Sequence, residues 1–304
     1  MDNDTSRGPL IGIDVGGTKI EAVLLGEDGA VANTLRIPAR RGADLVVDDV
    51  CAIARDVAGD RLDAVVRVGI GIPGQVDAAT GRIANVVNLD VVDLELGALV
   101  SQRLGVPVHV DNDVNAAAVG AAATLPDGGG AGTVVFLNFG TGLAAGILVD
   151  GVLQHGSSGA AGEIGHIPVD PNRLPCPCGQ VGCLETVCSG ASVARLWPTA
   201  DGVPPMPDLI ARARAGGDEA RRVLGIVVHA IVDTLQIAAQ SVDPAVIILG
   251  GGMARTGTSL VEVIVDELRR READCPFLRG LDLASRLRLA PDDLPTAAIG
   301  AALA

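Results

Sequence analysis

LIGIDVGGTKIEAVLL, residues 10–25, decides how the rest of the chain is read. Two short apolar runs, LIGIDV (10–15) and IEAVLL (20–25), flank Gly16-Gly17-Thr18-Lys19. Apolar runs joined by a glycine turn predict two strands of a hairpin. The carboxylate of Asp14 ends the first strand, and the glycines after it let backbone N–H groups approach an anion closely. Thr18 adds a hydroxyl donor and Lys19 a charge. A carboxylate beside phosphate calls for a cation between them, which points to Mg2+. An ordinary hairpin turn also favours Gly-Gly, so alone the stretch carries both readings.

A second copy tips the balance toward phosphate. TVVFLNF (133–139) and LAAGILV (143–149) read as strands around Gly140-Thr141-Gly142, with Gly146 just beyond. Two facing glycine hairpins can clamp one polyphosphate from two domains. Between them, Leu45, Val46, Val50, Ile53, Ala54 and Val57 have helical spacing over 43–58. The pattern then predicts a strand at 65–72, a helix at 93–104, a strand at 106–110 and an alanine-rich helix at 113–123. Residues 125–130 form a loop by composition, and residues 1–8 a frayed tail. Beyond the second hairpin come an irregular Pro- and Cys-rich stretch (166–185), helices at 189–196, 207–215, 218–240 and 258–272, and a strand at 245–250. The apolar C-terminal helix, TAAIGAALA, needs a surface to pack on, and the first domain is one candidate. The expectation is a duplicated α/β architecture with a nucleotide in the cleft between the halves. One domain would comprise 1–118 plus 294–304, the other 119–293.

Composition bounds the function. The chain has 304 residues, enough for two domains, and its 48% hydrophobic and 20% charged content folds into a globule. A net charge of −14 with no basic run argues against nucleic-acid and anionic-membrane partners. No apolar run approaches the ~20 residues that span a bilayer. MDNDTSRGP lacks the basic and apolar regions of a signal peptide, so the cytoplasm is the expected compartment. Lys19 is the only lysine; that preference for Arg reads as coding bias. The only aromatics are Trp197, Phe136, Phe139 and Phe277, so a sugar or base pocket must work mainly by hydrogen bonds. Gly69-x-Gly71-x-x-Gly74 matches the dinucleotide fingerprint literally, but Pro73 and the turn Asp77–Gly81 stand where that fingerprint needs a helix. No P-loop sequence occurs.

Cys176, Cys178 and Cys183 fall within eight residues. In a reducing compartment this spacing suggests a metal rather than a disulfide. His166 completes a Cys3His set, the ligand set of a closed tetrahedral zinc site, structural because no position is left for water. Three buried thiols and a core histidine are the alternative. Cys51, Cys188 and Cys275 read as core residues, and His109, His155 and His229 carry no partner pattern.

These segments together resemble the ROK family (bacterial repressors, open reading frames and sugar kinases) of the actin-like ATPase superfamily. IGIDVGGTKIEAVLL resembles its phosphate-1 segment, DNDVN (111–115) its catalytic segment E-N-D-A-N, and FGTGLAAGILVDG its phosphate-2 segment. GEIGH (162–166) and CPCGQVGCLE (176–185) resemble its two hallmark segments, and VIILGGGMA its adenosine segment. The resemblance implies a two-domain actin-like ATPase (ribonuclease H-like) α/β fold with the active site in the interdomain cleft. It implies an ATP-dependent kinase of a free hexose, with glucose the default acceptor.

Carried over residue by residue, Asp113 is the general base that takes the proton of the attacking hydroxyl. An N-cap role for Asp113 is compatible with that, and Asp111 reads as a cap. Asn88, Asn112, Glu163 and Glu185 match sugar-contacting positions, as amides and carboxylates suit hydroxyls; each alone reads equally well as a surface or capping residue. Asp14, Gly16, Gly17, Thr18, Lys19, Gly140, Thr141 and Gly142 would hold ATP phosphates and Mg2+. Gly250, Gly251 and Gly252 would receive adenosine, which favours ATP over polyphosphate. Zn2+ would hold its loop so that Glu163, His166 and Glu185 face the sugar, with His166 touching a hydroxyl through its other ring nitrogen.

Two departures stand out. Asp111 replaces the usual Glu, and VVNLDV (86–91) lacks the Pro before Asn88 and the Trp after it. The second leaves another hexose, a hexosamine or a cyclitol open as acceptor. ROK repressors carry an N-terminal helix-turn-helix; the first strand here starts near residue 10, so none is expected. Intact Asp14, Asp113 and both hairpins argue against a non-catalytic sugar sensor. The family further implies a homodimer or homotetramer, and closure over the sugar keeps water from the γ-phosphate.

Overall fold

The computed structural model describes residues 8–125 and 132–304. The expected tail at 1–8 and the expected loop at 125–130 lie, but for Gly8 and Leu125, outside the described residues. Two units are formed, the first from residues 8–125, 153–160 and 291–304, the second from 132–152 and 161–290. The expected boundary at 118 would cut the helix Asp113–Thr124, which stays whole in the first unit.

In the first unit the opening hairpin forms as its sequence predicts, Leu10–Val15 against Lys19–Leu25. The sheet runs Val31–Pro38, Lys19–Leu25, Leu10–Val15, Arg67–Ile72, Val108–Asn112, antiparallel across the first three and parallel across the last three. Strand alternation sends Ile11, Ile13, Ile20, Ala22 and Leu24 into a core with the helix Ala43–Ala58. Val23 and Leu25 meet Ala298, Ile299 and Ala302 of the helix Thr296–Leu303. The C-terminal helix thus finds its surface here, packed on strands Leu10–Val15 and Arg67–Ile72 and on helix Asp113–Thr124.

That packing explains the false dinucleotide motif. Gly69 and Gly71 lie inside strand Arg67–Ile72, and Gly74 leads into strand Gln75–Asp77 rather than a helix. A Cβ at Gly69 would lie 1.7 Å from the carbonyl oxygen of Ala301, and one at Gly300 would lie 1.7 Å from that of Ala116. The glycines are where backbones touch. Gly300→Val should therefore cost about 1–3 kcal/mol by overpacking. A urea midpoint unchanged from wild type would contradict this interlocking.

Two elements differ from the sequence reading. The helix expected from 93 starts at Leu96, because Val91–Leu94 joins a three-stranded antiparallel sheet with Gln75–Asp77 and Arg82–Val86. Val91 and Val92 are β-branched and suit that sheet. The strand expected at 106–110 runs Val108–Asn112 and so begins after Pro107, which has no N–H to give a ladder.

The second unit repeats the plan. Its sheet runs Leu143–Val149, Thr133–Phe139, Val246–Gly250, Leu287–Leu289, with the hairpin antiparallel and the last three strands parallel. An 18-residue stretch of the helix Asp218–Val242, at mean hydropathy 1.6, would pass for a membrane span by length and composition, although Asp233 interrupts its apolar run. Its Val223, Val227, Ile231 and Leu235 are almost fully buried beside Leu137, Ile247 and Leu260, which makes it the central core helix of this unit.

Candidate active site

In the first unit the turn after Asp14 closes as a hairpin, Gly16 N–H donating to the Lys19 carbonyl at 2.9 Å. Gly17 is demanded by space: a Cβ there would lie 2.8 Å from Nδ2 of Asn88. The structure thereby places the expected sugar-binding Asn88 against the expected phosphate loop. The segment 39–42 braces both, Ala39 N–H donating to Thr18 O (3.1 Å) and Gly42 N–H to Leu89 O (2.8 Å). Asn88 sits in the 3-10 turn Val87–Leu89, and Val87 directly before it is 83% exposed. Thr18 is exposed, and Lys19 Nζ lies 3.6 Å from Glu21.

Asp14 pairs in register with Gly71, and Gly71 with Asp111. Two carboxylates therefore flank a glycine in one row of the sheet. The helix Asp113–Thr124 starts over that row, so a Cβ at Gly71 would lie 2.9 Å from Cβ of Ala116 and 3.6 Å from Cα of Asp113. Burial, and then the negative charge of Asp113, raise the Asp14 carboxyl to about 7; Lys19 opposes the shift and Glu21 adds to it. Carboxylates crowded in this way suit a divalent cation.

A pH dependence follows with a definite sign. Between the ordinary value of 3.8 and about 7, folded Asp14 holds a proton that the unfolded chain has released. Stability of the ligand-free protein should then fall as pH rises through that window, by up to about 1.4 kcal/mol per pH unit from this group. Urea midpoints of wild type and Asp14→Asn from pH 4.5 to 7.5 check it. The wild type should show the steeper decline, and identical slopes would contradict the raised carboxyl.

The helix cap is Asn112, whose Oδ1 accepts the Val114 N–H at 2.9 Å while Nδ2 donates to Gly74 O at 3.3 Å. This corrects the capping role expected of Asp111. Asp113 is the first helical residue, and its Oδ1 also receives the Val114 N–H, at 3.0 Å. Asp111 is 2% exposed and accepts from the Asn112 N–H (2.7 Å) and Asn115 Nδ2 (2.9 Å), with His155 Nε2 at 2.7 Å. Burial works against its charge, but bonding with the His109 and His155 rings, Asn115 and the Asn112 N–H prevails and holds its carboxyl down at about 2. The sequence assigned neither histidine a role.

In the second unit, Gly140-Thr141-Gly142 is also a hairpin turn. Glu185 Oε2 accepts the Leu143 N–H at 2.9 Å, and a Cβ at Gly142 would lie 2.6 Å from that oxygen. Gly190 N–H donates to Gly140 O at 2.7 Å. Gly251 has φ +79°, and a Cβ there would lie 2.5 Å from Asn138 Oδ1 and 2.7 Å from Gly140 N. Within this unit the expected phosphate-2 turn, the expected adenosine segment Gly250–Gly252 and Glu185 are thus neighbours. Asn138 and Gly190 complete the group, and both went unnoticed in the sequence because each is defined only by what it touches.

The Cys-rich loop passes a geometric test for a metal. One ligand atom from each of His166, Cys176, Cys178 and Cys183 lies within 4.8 Å of all the others. Cys178 and Cys183 sulfurs are 3.7 Å apart, and Cys176 Sγ is 3.8 Å from His166 Nδ1. Tetrahedral zinc with Zn–S near 2.3 Å needs ligand separations of about 3.6–3.8 Å. The Gln180 backbone N–H, and then Cys176, pull the Cys178 thiol down to about 6, while burial pushes Cys183 up to about 12. His166 Nδ1 faces the thiols, and its Nε2 lies 3.8 Å from Glu163 Oε2. Glu163 is exposed, and Glu185 follows Cys183 by two residues, opening the short helix Glu185–Cys188.

The sequence profile of the ROK family matches residues 10–277. The glucokinase of Halalkalibacterium halodurans is 31% identical over 275 residues, 84% of this chain and 83% of that protein. An N-acetyl-D-glucosamine kinase of Escherichia fergusonii is 31% identical over 85% of this chain and 88% of its own. The crystal structure of a ROK family glucokinase from Streptomyces griseus in complex with glucose and AMPPNP superposes with a TM-score of 0.76. It is 30% identical and covers 97% of this chain and 98% of that one.

Proposed function

The chain belongs to the ROK family and is an ATP-dependent sugar kinase, and from that premise we propose that its acceptor is a free hexose, glucose before others. The observation that carries the catalytic reading is the placement of Asp113. It opens helix Asp113–Thr124 over the Asp14–Gly71–Asp111 row, close enough to Asp14 to raise its carboxyl. A sugar hydroxyl is a poor nucleophile at neutral pH. Asp113 accepts its proton as the oxygen attacks the γ-phosphorus, and ADP leaves. The helix N-terminus beneath Asp113 favours the incoming negative charge. Asn88, Asn112, Glu163, His166 Nε2 and Glu185 orient the sugar hydroxyls. The backbone of Gly16–Lys19 and of Gly140–Gly142 receives the phosphates, and Gly250–Gly252 receives the adenosine.

Asp14 is the residue that would hold Mg2+, which would supply neutralising charge for the transferred phosphoryl group. His166, Cys176, Cys178 and Cys183 would hold a structural Zn2+; with four protein ligands it has no open position for chemistry.

A second reading has its own observation. Val87, exposed directly before Asn88, stands where the family has Pro, the family's Trp is missing from the segment 86–91, and a relative of equal identity is an N-acetyl-D-glucosamine kinase. An acceptor with an apolar acyl group fits that reading. The test compares kcat/KM for glucose, mannose, N-acetylglucosamine and N-acetylmannosamine at saturating Mg·ATP. Glucose highest supports the proposal. N-acetylglucosamine ahead of glucose selects the second reading, and turnover of none of the four contradicts both.

A further inference from the structure

The Asp111 carboxylate has a partner from a distant part of the chain. Its Oδ1 holds the Asn112 N–H and the Asn115 side chain, at 2.7 and 2.9 Å. Its Oδ2 lies 2.7 Å from Nε2 of His155 and 3.8 Å from Nε2 of His109. An ionised carboxylate can only accept, so Nε2 of His155 carries the proton and donates it, a charge-assisted bond to a nearly inaccessible anion. Asp111 directly precedes Asn112 and Asp113, and Asn115 lies in the first turn of the same helix. One carboxylate thus ties the end of strand Val108–Asn112, the start of helix Asp113–Thr124 and the segment 153–160 together. That segment belongs to the first unit and runs on to Glu163 and His166 in the sequence.

We infer that His155 is a positioning residue for phosphoryl transfer: by pairing Oδ2 of Asp111 it fixes the turn that aims Asn112 and Asp113. The inference rests on the reading of Asp113 as general base. His155 is half-exposed and its bond goes to Asp111, so its effect on the reaction passes through that carboxylate. Without it, this buried carboxylate oxygen loses its short donor and keeps only the His109 ring, 3.8 Å away; Asp111 must then turn or take up a proton, and the backbone it holds moves with it. A general base works only within hydrogen-bond reach of its proton, and displacements of about 1 Å cost up to about 10²-fold.

The experiment compares His155→Phe, which keeps a ring and loses the donor, with His155→Gln, whose amide nitrogen reaches about as far as Nε2. His155→Phe should lower kcat by about 10–100-fold with KM for ATP unchanged. His155→Gln should restore most of the loss. In an Asp111→Asn background His155→Phe should add little, because both act on one bond. A readout independent of turnover is the His155 Nε2 proton, visible by nitrogen-edited NMR in the wild type and lost in Asp111→Asn. Wild-type kcat in His155→Phe, no recovery in His155→Gln, or a full further loss in the Asp111→Asn background would overturn the inference. Absence of the Nε2 proton signal in the wild type would overturn the bond itself, whatever the activity. A signal present in a protein that transfers no phosphate would instead overturn the kinase reading.

Discussion

Asp113→Asn should lower kcat by about 10²–10⁴-fold while the protein still folds and still binds Mg·ATP and sugar. Asn has the same shape, and its Oδ1 can go on accepting the Val114 N–H that Asp113 accepts at 3.0 Å. Helix Asp113–Thr124 keeps its Asn112 cap in any case. What disappears is the carboxylate that takes the hydroxyl proton. The substitution carries a second signature. After burial, the charge of Asp113 is the main force raising the Asp14 carboxyl. Removing it should bring Asp14 down, so Mg·ATP should bind at least as tightly to the variant as to wild type near pH 6.5. Steady-state kinetics and isothermal titration read the two effects separately. A variant that keeps more than about a tenth of wild-type kcat would remove Asp113 from the role of base.

Loss of the proposed zinc is the second large effect expected. Cys183 is fully buried between His166 and the residues that lead to Glu185. The loop from His166 to Glu185 has little regular structure, only an isolated bridge between Pro175 and Val181, so its ligands stand in for a core. Metal binding there is largely folding free energy of the loop. Glu185 in turn holds the Leu143 N–H at the phosphate-2 turn. Cys183→Ser, or exhaustive chelation, should therefore lower activity by at least about 10²-fold and raise KM for the sugar. The helices Asp218–Val242 and Thr258–Glu272, packed in their own core, should keep the unit folded, so far-UV circular dichroism changes little. Purified protein should carry one zinc per chain. A zinc-free preparation with full activity would contradict a structural metal at this loop.

Much of this architecture is legible in the sequence because its signals are local. Apolar runs around Gly16-Gly17 and around Gly140-Thr141-Gly142 give both hairpins, and helical spacing gives Ala43–Ala58 and Thr258–Glu272 at their observed bounds. Three thiols within eight residues announce the cluster that the structure gathers with His166. What stays hidden depends on distant neighbours. Strand Val31–Pro38 is an exposed edge strand with only Leu35 and Ile37 half-buried against the core, too short an alternation to mark it. The split of 91–104 into strand and helix depends on a partner strand at Arg82–Val86. Gly69 looks like part of a nucleotide motif and is instead a groove for the C-terminal helix, more than 200 residues away. His155 meets Asp111 across 44 residues of chain, with no spacing rule to suggest it. The donors and carboxylates of the site are recognisable by type, whereas the bonds that aim them are tertiary.

The central claim is that this chain moves the γ-phosphoryl group of ATP to a sugar hydroxyl with Asp113 as base. Phosphorus NMR of the protein mixed with Mg·ATP and glucose tests it most directly. The account predicts a sugar phosphomonoester signal growing one for one with ADP, dependent on glucose and lost in Asp113→Asn. ATP that binds yet stays intact, or that yields inorganic phosphate at the same rate with and without sugar, would contradict it.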